Sequence, residues 1–230
     1  VHNAWKSAEP GVLFWDTILK ESVPDCYADL GYRTVSTNPC GEIPLCPYDS
    51  CRLLAINLYS YVVNPFKPDA YFDFELFQKH VALAQRIMDD IIDLESEDVR
   101  HTERVLWDKI YKKSGQGRRT GVGITAEGDM LAALGLRYGT EEATEFSEKV
   151  HKTVALSAYR SSVEMAKERG AFEIYDTERE KNNPFINRLR EADPQLYEDM
   201  KKYGRRNIAC LTIAPTGTTS LMTQTTSGIE

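Results

Sequence analysis

The chain has 230 residues, of which 42% are hydrophobic and 27% are charged, proportions that are ordinary for a globular protein. This length allows one large domain or two small ones and a substantial buried core. The formal net charge of −7 argues against nucleic acid or an anionic membrane as a partner, and no apolar run is long enough to span a bilayer.

Both ends of the chain have the character of cut ends. It begins at Val1 without an initiator methionine or a signal peptide, and it stops at Glu230 without a terminal helix or polar tail. We therefore expect a segment of a longer protein whose N- and C-terminal parts lie elsewhere. The five cysteines, an odd number, favour a reducing cytoplasm over a secreted disulfide scaffold.

The first half of the chain predicts short strands and one clear amphipathic helix. In chain order we expect a short helix within residues 12–19, a strand over 32–37, a buried strand with its approach over 53–63, and a helix over 74–94. The apolar residues at helical spacing in that helix, which we expect in the core, are Val81, Ala84, Ile87, Met88, Ile91 and Ile92. The acid-rich stretch 89–103 is expected to be a solvated helix end and loop.

The second half alternates strands with helices. We expect a strand over 120–124, a helix over 127–134 closed by Gly135, a helix over 141–169 between Thr140 and Gly170, and an apolar strand over 208–213. Asn183-Pro184 and Asp193-Pro194 each predict a helix start, with a capping side chain followed by proline in the first helical position. This alternation indicates an α/β domain with a largely parallel sheet.

The most informative segment is Asn38-Pro39-Cys40-Gly41-Glu42, which places an amide, a thiol and a carboxylate within five residues. Pro39 pushes the preceding residue towards an extended conformation, and Gly41 permits a tight turn or a close approach. In an extended segment every second side chain points to the same side, so Asn38, Cys40 and Glu42 would converge on one small volume. Such a set is typical of a catalytic site, and the alternative is a turn with an incidental thiol.

Two further segments have recognisable patterns. Residues 214–220, here called the threonine loop, read Ala-Pro-Thr-Gly-Thr-Thr-Ser and follow a predicted strand. Backbone amides and hydroxyls at a helix start form an anion site, and the alternative is an ordinary hydroxyl-rich cap. Residues 118–124 read Arg-Arg-Thr-Gly-Val-Gly-Ile and lead into Asp129-Met130-Leu131. A strand and a helix are expected there, with the two arginines on a charged surface turn.

Together these segments resemble the large chain of ribonucleotide reductases. The segment Thr-Asn-Pro-Cys-Gly-Glu-Ile-Pro-Leu at 37–45 is similar to the finger-loop motif of that family, and its Pro-Cys-Gly-Glu form is most similar to the adenosylcobalamin-dependent class. The threonine loop resembles the family's loop for the substrate phosphates. The resemblance runs from about Trp5 to Glu230.

The fold that this resemblance implies is α/β, about the second half of a ten-stranded α/β barrel. Residues 1–230 would form a partial catalytic barrel domain, with the finger loop near 36–46 and the phosphate loop near 214–220. Because only four or five strands are predicted, the barrel cannot close within this chain. A complete small α/β domain is the alternative structure.

The resemblance implies that ribonucleotides are reduced to deoxyribonucleotides by thiyl-radical chemistry. Cys40 would carry the radical that removes the 3′-hydrogen, Glu42 would be the general base for the 3′-hydroxyl, and Asn38 would hold a ribose hydroxyl. Cys51 would belong to the dithiol that supplies two electrons, with its partner on a strand that this chain lacks. The implied substrate contacts are Ser36 and Thr37, and those to its phosphates are Pro215, Thr216, Gly217, Thr218, Thr219 and Ser220.

The implied cofactor is adenosylcobalamin. The implied partners are a ribonucleotide substrate, a nucleotide effector bound on missing parts, a thioredoxin-like or small dithiol reductant, and a second copy in a homodimer. Three alternatives stay open: the class whose radical comes from a separate metal-bearing subunit, a non-catalytic nucleotide-binding module with a structural Cys40, and a cysteine hydrolase, which lacks a positioned histidine. The cysteine spacings contain no Cys-x-x-Cys pair, so no metal site is predicted.

Overall fold

The computed structural model describes residues 1–50, 52–98 and 104–230. Its α-helices are α1 (His2–Ser7), α2 (Trp15–Glu21), α3 (Phe74–Asp98), α4 (Arg104–Gly117), α5 (Glu127–Ala133), α6 (Glu141–Arg169), α7 (Thr177–Glu180), α8 (Pro184–Ala192), α9 (Pro194–Tyr203) and α10 (Gly217–Thr223). Its strands are β1 (Ser36–Thr37), β2 (Pro44–Leu45), β3 (Leu54–Asn57), β4 (Val62–Val63), β5 (Tyr71–Phe72) and β6 (Val122–Thr125). Two 3-10 helices cover Pro24–Leu30 and Leu58–Tyr61.

The centre of the fold is a small parallel sheet. β3 and β6 run parallel, with Leu54 opposite Val122. On the other side of β6 lies the extended 208–213 segment: the Val122 amide donates to the Cys210 carbonyl at 2.8 Å, and the Thr212 amide donates to the Val122 carbonyl at 3.1 Å. The predicted parallel arrangement is therefore confirmed, although the 208–213 segment is tied to β6 by a bridge and not by a full strand.

One face of this sheet packs against α3. Ile56 and Val122 are buried there in the same apolar cluster as Phe77 and Val81 of the helix. Because successive side chains of a strand point to opposite faces, the residues between them face the other way. That second face forms the wall of the candidate site.

Helix α3 is the predicted amphipathic helix, and it continues to Asp98. Val81 and Met88 are buried on its inner face, but Ile87 is 44% exposed, so its assignment to the core is wrong. Ile87 lies about 100° from Met88 around the helix axis, which takes it off the buried stripe.

The two arginines before β6 are buried, so the predicted charged surface turn is wrong. The Arg118 Nε donates to Asp89 Oδ1 at 2.8 Å, and the Arg119 Nε donates to Asp49 Oδ2 at 2.8 Å. Asp89 has no exposed surface, which also contradicts the predicted solvated stretch 89–103 at this position. A buried charge needs an opposite charge beside it, and the fold supplies these partners from distant positions. Residues 99–103 of that stretch lie outside the described residues.

Three helix starts follow their predicted caps. The Thr140 hydroxyl accepts a hydrogen bond from the Ala143 amide at 3.4 Å, and α6 has the predicted bounds. The side chains of Asn183 and Asp193 likewise accept from backbone amides at the starts of α8 and α9, at 3.1 and 3.0 Å. In the described ranges, none of the helices combines the length and apolar character that a membrane crossing requires.

Candidate active site

The finger loop (residues 36–46) is a hairpin of β1 and β2, in which Thr37 lies opposite Pro44. The Asn38 side chain closes its turn, because Asn38 Oδ1 accepts from the Ile43 amide at 3.0 Å, and the Asn38 amide donates to the Ile43 carbonyl at 3.2 Å. Gly41 has φ +82°, a conformation that favours glycine. The extended segment predicted for residues 38–42 is therefore wrong, since the strand pairing closes these residues into a turn.

The turn presents the thiol and the carboxylate differently. Cys40 is a free cysteine and is exposed. Glu42 is half-buried, and its backbone carbonyl accepts from the Thr212 hydroxyl at 3.1 Å. Its Oε2 atom is buried and has no hydrogen-bond partner within the described structure. Since a buried carboxylate oxygen without a partner is costly, Oε2 is available to a ligand group.

A cavity of about 250 Å³ lies between the finger loop, the threonine loop and the face of the sheet that points away from α3. Its lining residues are Cys40, Glu42, Leu53, Leu54, Ala55, Gly121, Gly123, Ile124, Thr212, Ala214, Pro215, Thr216, Gly217 and Thr219. The fold thus brings the two segments singled out in the sequence to one cavity. Asn38, Ser36, Thr37, Thr218 and Ser220 are not among its lining residues.

The threonine loop leads into α10 with Thr216 in the left-handed region, at φ +54°. Thr216 Oγ1 accepts from the Gly228 amide at 2.7 Å and lies 3.0 Å from Thr125 Oγ1. Ser220 is buried, and its hydroxyl donates to the Gly217 carbonyl at 2.8 Å, inside its own helix. Four of the six predicted phosphate contacts therefore line the cavity: Pro215, Thr216, Gly217 and Thr219.

The other predicted contacts are placed less directly. The hydroxyls of Ser36 and Thr37 donate to neighbouring backbone carbonyls, at 3.3 and 3.0 Å. Asn38 is buried at the base of the loop. Cys51 lies outside the described residues, so its assignment to the dithiol stays a prediction.

The wall of the cavity is the part that sequence reasoning missed. A Cβ at Gly121 would lie 2.6 Å from the Arg52 carbonyl oxygen, and one at Gly123 would overlap the carbonyl oxygen of Thr212. The two glycines therefore permit the close approach of neighbouring segments along the cavity wall. Glycine at alternate positions of a short strand is the pattern that could have indicated this.

Two other cysteines, Cys46 and Cys210, are buried, whereas Cys40 is exposed. Burial raises the pKa of Cys46 to about 12, with a further contribution from Asp49, and burial raises the pKa of Cys210 to about 12 as well. Buried thiols of this kind stay protonated and are unreactive. Among the residues that the structure describes, no three histidine, cysteine or acidic side chains are grouped so as to hold a metal ion.

Comparison with known proteins identifies the family. The family model of the ribonucleotide reductase barrel domain matches residues 1–230, so the chain belongs to this family. The predicted family and the predicted α/β fold, part of a barrel, are thereby confirmed.

Individual relatives agree with this assignment. The chain is 36% identical over 231 residues to the vitamin B12-dependent ribonucleoside-diphosphate reductase of Thermoplasma acidophilum, covering 100% of this chain and 26% of that protein. It is 32% identical over 228 residues to the enzyme of the same name from Mycobacterium tuberculosis, covering 99% and 28%. The chain therefore spans about a quarter of the length of these curated relatives.

A solved structure shows the same fold. The class Id ribonucleotide reductase alpha subunit of Actinobacillus ureae matches with a TM-score of 0.72 at 20% sequence identity. The match covers 100% of this chain and 38% of that chain.

Proposed function

We propose that the protein containing this chain reduces ribonucleotides to deoxyribonucleotides by thiyl-radical chemistry and that this chain supplies a partial catalytic barrel domain. The observation that carries the proposal is the shared cavity, which Cys40 and Glu42 line at the finger loop and Thr216, Gly217 and Thr219 line at the threonine loop. A ribose beside the thiol and the carboxylate would direct its phosphates towards the threonine loop.

The reaction would begin at Cys40. A thiyl radical there would take the hydrogen atom from the ribose 3′-carbon, forming an S–H bond as the C–H bond breaks. Glu42 would accept the 3′-hydroxyl proton while the 2′-hydroxyl takes a proton from a thiol of the reducing dithiol and leaves as water. The general-base role suits a carboxylate oxygen that is buried without a partner among the described residues. The Asn38 side chain closes the turn that contains Cys40 and Glu42, so it would position both groups. Asn38 would also hold a ribose hydroxyl.

Two electrons are needed to complete the reduction. A dithiol that becomes a disulfide supplies them, and we assign Cys51 to that pair. Its partner cysteine would lie on a strand outside this chain, and a thioredoxin-like protein or small dithiol would reduce the disulfide again. Such chemistry suits a reducing cytoplasm.

We assign adenosylcobalamin as the radical source, because the two relatives described above are named vitamin B12-dependent. Cys40 is exposed and also lines the cavity, a position that fits a thiol lying between an external cofactor and the substrate. The exposed turn of the finger loop at Cys40 would contact this cofactor. When bound, adenosylcobalamin supplies a radical by homolysis of its carbon–cobalt bond.

The names of these relatives also favour a ribonucleoside diphosphate as the substrate. A nucleotide effector would lie on parts of the protein outside this chain, and the protein would form a homodimer.

The decisive experiment uses the full-length protein, assayed anaerobically for deoxyribonucleotide formation with a dithiol, with and without adenosylcobalamin. We expect turnover only when adenosylcobalamin is present, and no turnover in Cys40→Ser. The matched control Cys26→Ser should keep the wild-type turnover, because Cys26 does not line the cavity. Turnover that needs an added metal-bearing subunit would assign the other class. Full activity in Cys40→Ser would overturn the radical role.

A further inference from the structure

The threonine loop is held by a continuous chain of hydrogen bonds. The Gly228 amide donates to Thr216 Oγ1 at 2.7 Å, Thr216 Oγ1 and Thr125 Oγ1 are 3.0 Å apart, and Thr125 Oγ1 donates to the Thr226 carbonyl at 3.1 Å. Each hydroxyl has a single proton. Either hydroxyl can donate across the contact between Thr125 and Thr216. When the Thr125 hydroxyl donates to the Thr226 carbonyl, the Thr216 hydroxyl donates to Thr125 and has no proton left for a phosphate.

Residues 226–230, which hold the threonine loop through these hydrogen bonds, are themselves bound to the start of α5. The Thr226 amide donates to Asp129 Oδ2 at 2.6 Å, and the Asp129 amide donates to Thr226 Oγ1 at 3.2 Å. The Ala126 amide donates to the Thr226 carbonyl at 3.0 Å. Amides at a helix start have no partner within the helix, so residues 226–230 satisfy donors that α5 leaves open.

The sequence accommodates this contact closely. The Gly128 amide donates to the Glu230 carbonyl at 2.9 Å, and a Cβ at Gly128 would overlap that same carbonyl oxygen. Thr125, at the end of β6, is 1% exposed. Residues 125–129 and 226–230, here called the clasp, therefore form a closely packed unit that is joined to the cavity lining through the hydrogen bonds of Thr216.

We propose that the clasp positions the threonine loop for the substrate phosphates, with Asp129 and Thr226 as positioning residues, and that Thr216 acts through the clasp and not as a phosphate donor. This inference rests on the proposed function for its substrate. The phosphates would then be met by the Thr219 side chain, which lines the cavity.

The test is made on the full-length protein with a matched set of variants. Thr226→Val removes the acceptor for the Asp129 amide, whereas Thr226→Ser keeps it. Asp129→Asn weakens the charge-assisted bond to the Thr226 amide. The control is Asp199→Asn, a half-buried aspartate on α9 that accepts a hydrogen bond from Gln195 away from the cavity.

The first readout is equilibrium binding of a ribonucleoside diphosphate and of the same ribonucleoside without phosphates. We expect Thr226→Val and Asp129→Asn to bind the diphosphate about tenfold more weakly, with less than a twofold change for the nucleoside, and Thr226→Ser to behave as the wild type. Equal losses for both ligands, or no loss for either, would overturn the positioning role.

A double variant separates positioning from direct contact. If Thr216 acts through the clasp, Thr216→Val combined with Thr226→Val loses no more diphosphate affinity than Thr226→Val alone. If the Thr216 hydroxyl contacts the phosphates independently, the two losses multiply, and the assignment of Thr216 is wrong.

Hydrogen exchange provides a readout that needs no substrate. The backbone amides of residues 216–223 should exchange faster in Thr226→Val and Asp129→Asn than in the wild type and in Asp199→Asn. A wild type that binds no ribonucleotide would refute the proposed function, yet this exchange would still test the clasp. Unchanged exchange would refute the clasp.

Discussion

The two faces of the central sheet differ in the size of their side chains: one face packs into the core and the other lines the cavity. On the face towards α3, Ile56 and Val122 are buried in the apolar core. On the opposite face, Ala55, Gly121 and Gly123 line a cavity of about 250 Å³. Large branched side chains on one face bury apolar area and stabilise the fold, while small residues on the other leave volume for a ligand. A register slip of one residue would exchange the two faces.

Buried polar groups in the interior also differ from those at the cavity. In the interior, Arg205 and Glu180 are both fully buried and are joined by two hydrogen bonds, at 2.5 and 2.7 Å. At the cavity, Glu42 Oε2 is buried without a partner in the described part of the chain. Paired groups hold the structure, whereas an unpaired one is suited to act on a ligand.

The largest expected effect is at the cavity. Glu42→Gln should lower kcat for ribonucleotide reduction by about 10²- to 10⁴-fold, because it removes the general base. The stability of the variant should hardly change, since Oε2 has no hydrogen-bond partner among the described residues. Steady-state kinetics and a denaturant titration of the full-length protein measure both, with the half-exposed Glu164→Gln on α6 as the control. A kcat within a factor of ten of the wild type would contradict the assignment of Glu42.

Gly123→Ala should damage the boundary between the faces. The added Cβ would overlap the Thr212 carbonyl oxygen, so β6 and the 208–213 segment must separate. We expect a loss of about 3 kcal/mol in the free energy of unfolding, measured with denaturant. Gly115→Ala on α4 is the matched control, because its Cβ would meet no atom within 4 Å. Equal stability of the two variants would mean that close strand approach does not require Gly123.

Val122→Ala should affect the core face alone. Removing two buried methyl groups should cost about 2 kcal/mol of unfolding free energy, while the KM for the nucleotide stays within twofold of the wild type. Val105→Ala on α4, where the side chain is 75% exposed, should leave stability unchanged. A large rise in KM for Val122→Ala would show that the two faces are not independent.

The smallest effect concerns Glu127, which lies on neither face. Burial raises the pKa of Glu127, but hydrogen bonds from His151 and Ser147 outweigh it, and the net pKa lies below the ordinary value of 4.5. As the pH falls, Glu127 therefore takes up its proton at a higher pH in the unfolded chain than in the folded protein. The stabilisation is complete above a pH of about 4.5 and is lost as the pH falls through the folded-state pKa.

Glu127→Gln should accordingly flatten the pH dependence of stability on the acid side of pH 4.5, as measured by urea midpoints at pH 7 and pH 4. The exposed Glu141→Gln, in the first turn of α6, should keep the wild-type dependence. A slope that is the same in both variants would show that the His151 contact does not hold the carboxylate ionised.

Local patterns predicted three helix starts, whereas α1, α4 and α7 were not predicted. Thr140, Asn183 and Asp193 each marked a helix start because a capping side chain bonds to an amide only three residues away. The finger loop was also identifiable from its residues, but its conformation was not. Pro39 favoured an extended segment, and the cross-strand bonds between Asn38 and Ile43 closed a turn instead.

Contacts between distant residues could not be predicted in this way. Arg118 and Arg119 follow a helix and precede a strand, a context that favours a surface turn, yet Asp89 and Asp49 bury them. The two hydrogen bonds between Asp129 and Thr226 join residues 97 positions apart, and no spacing in the sequence predicts them.

The sequence by itself determined the family, the helix starts and the residue types of the two loops, because each depends on a few adjacent side chains. Only the tertiary structure decided that Cys40, Glu42 and Thr216 share one cavity and that the Thr216 hydroxyl is already engaged. The physical reason is that hydrogen bonds and ion pairs act over about 3 Å. The fold alone determines which residues far apart in the chain come that close.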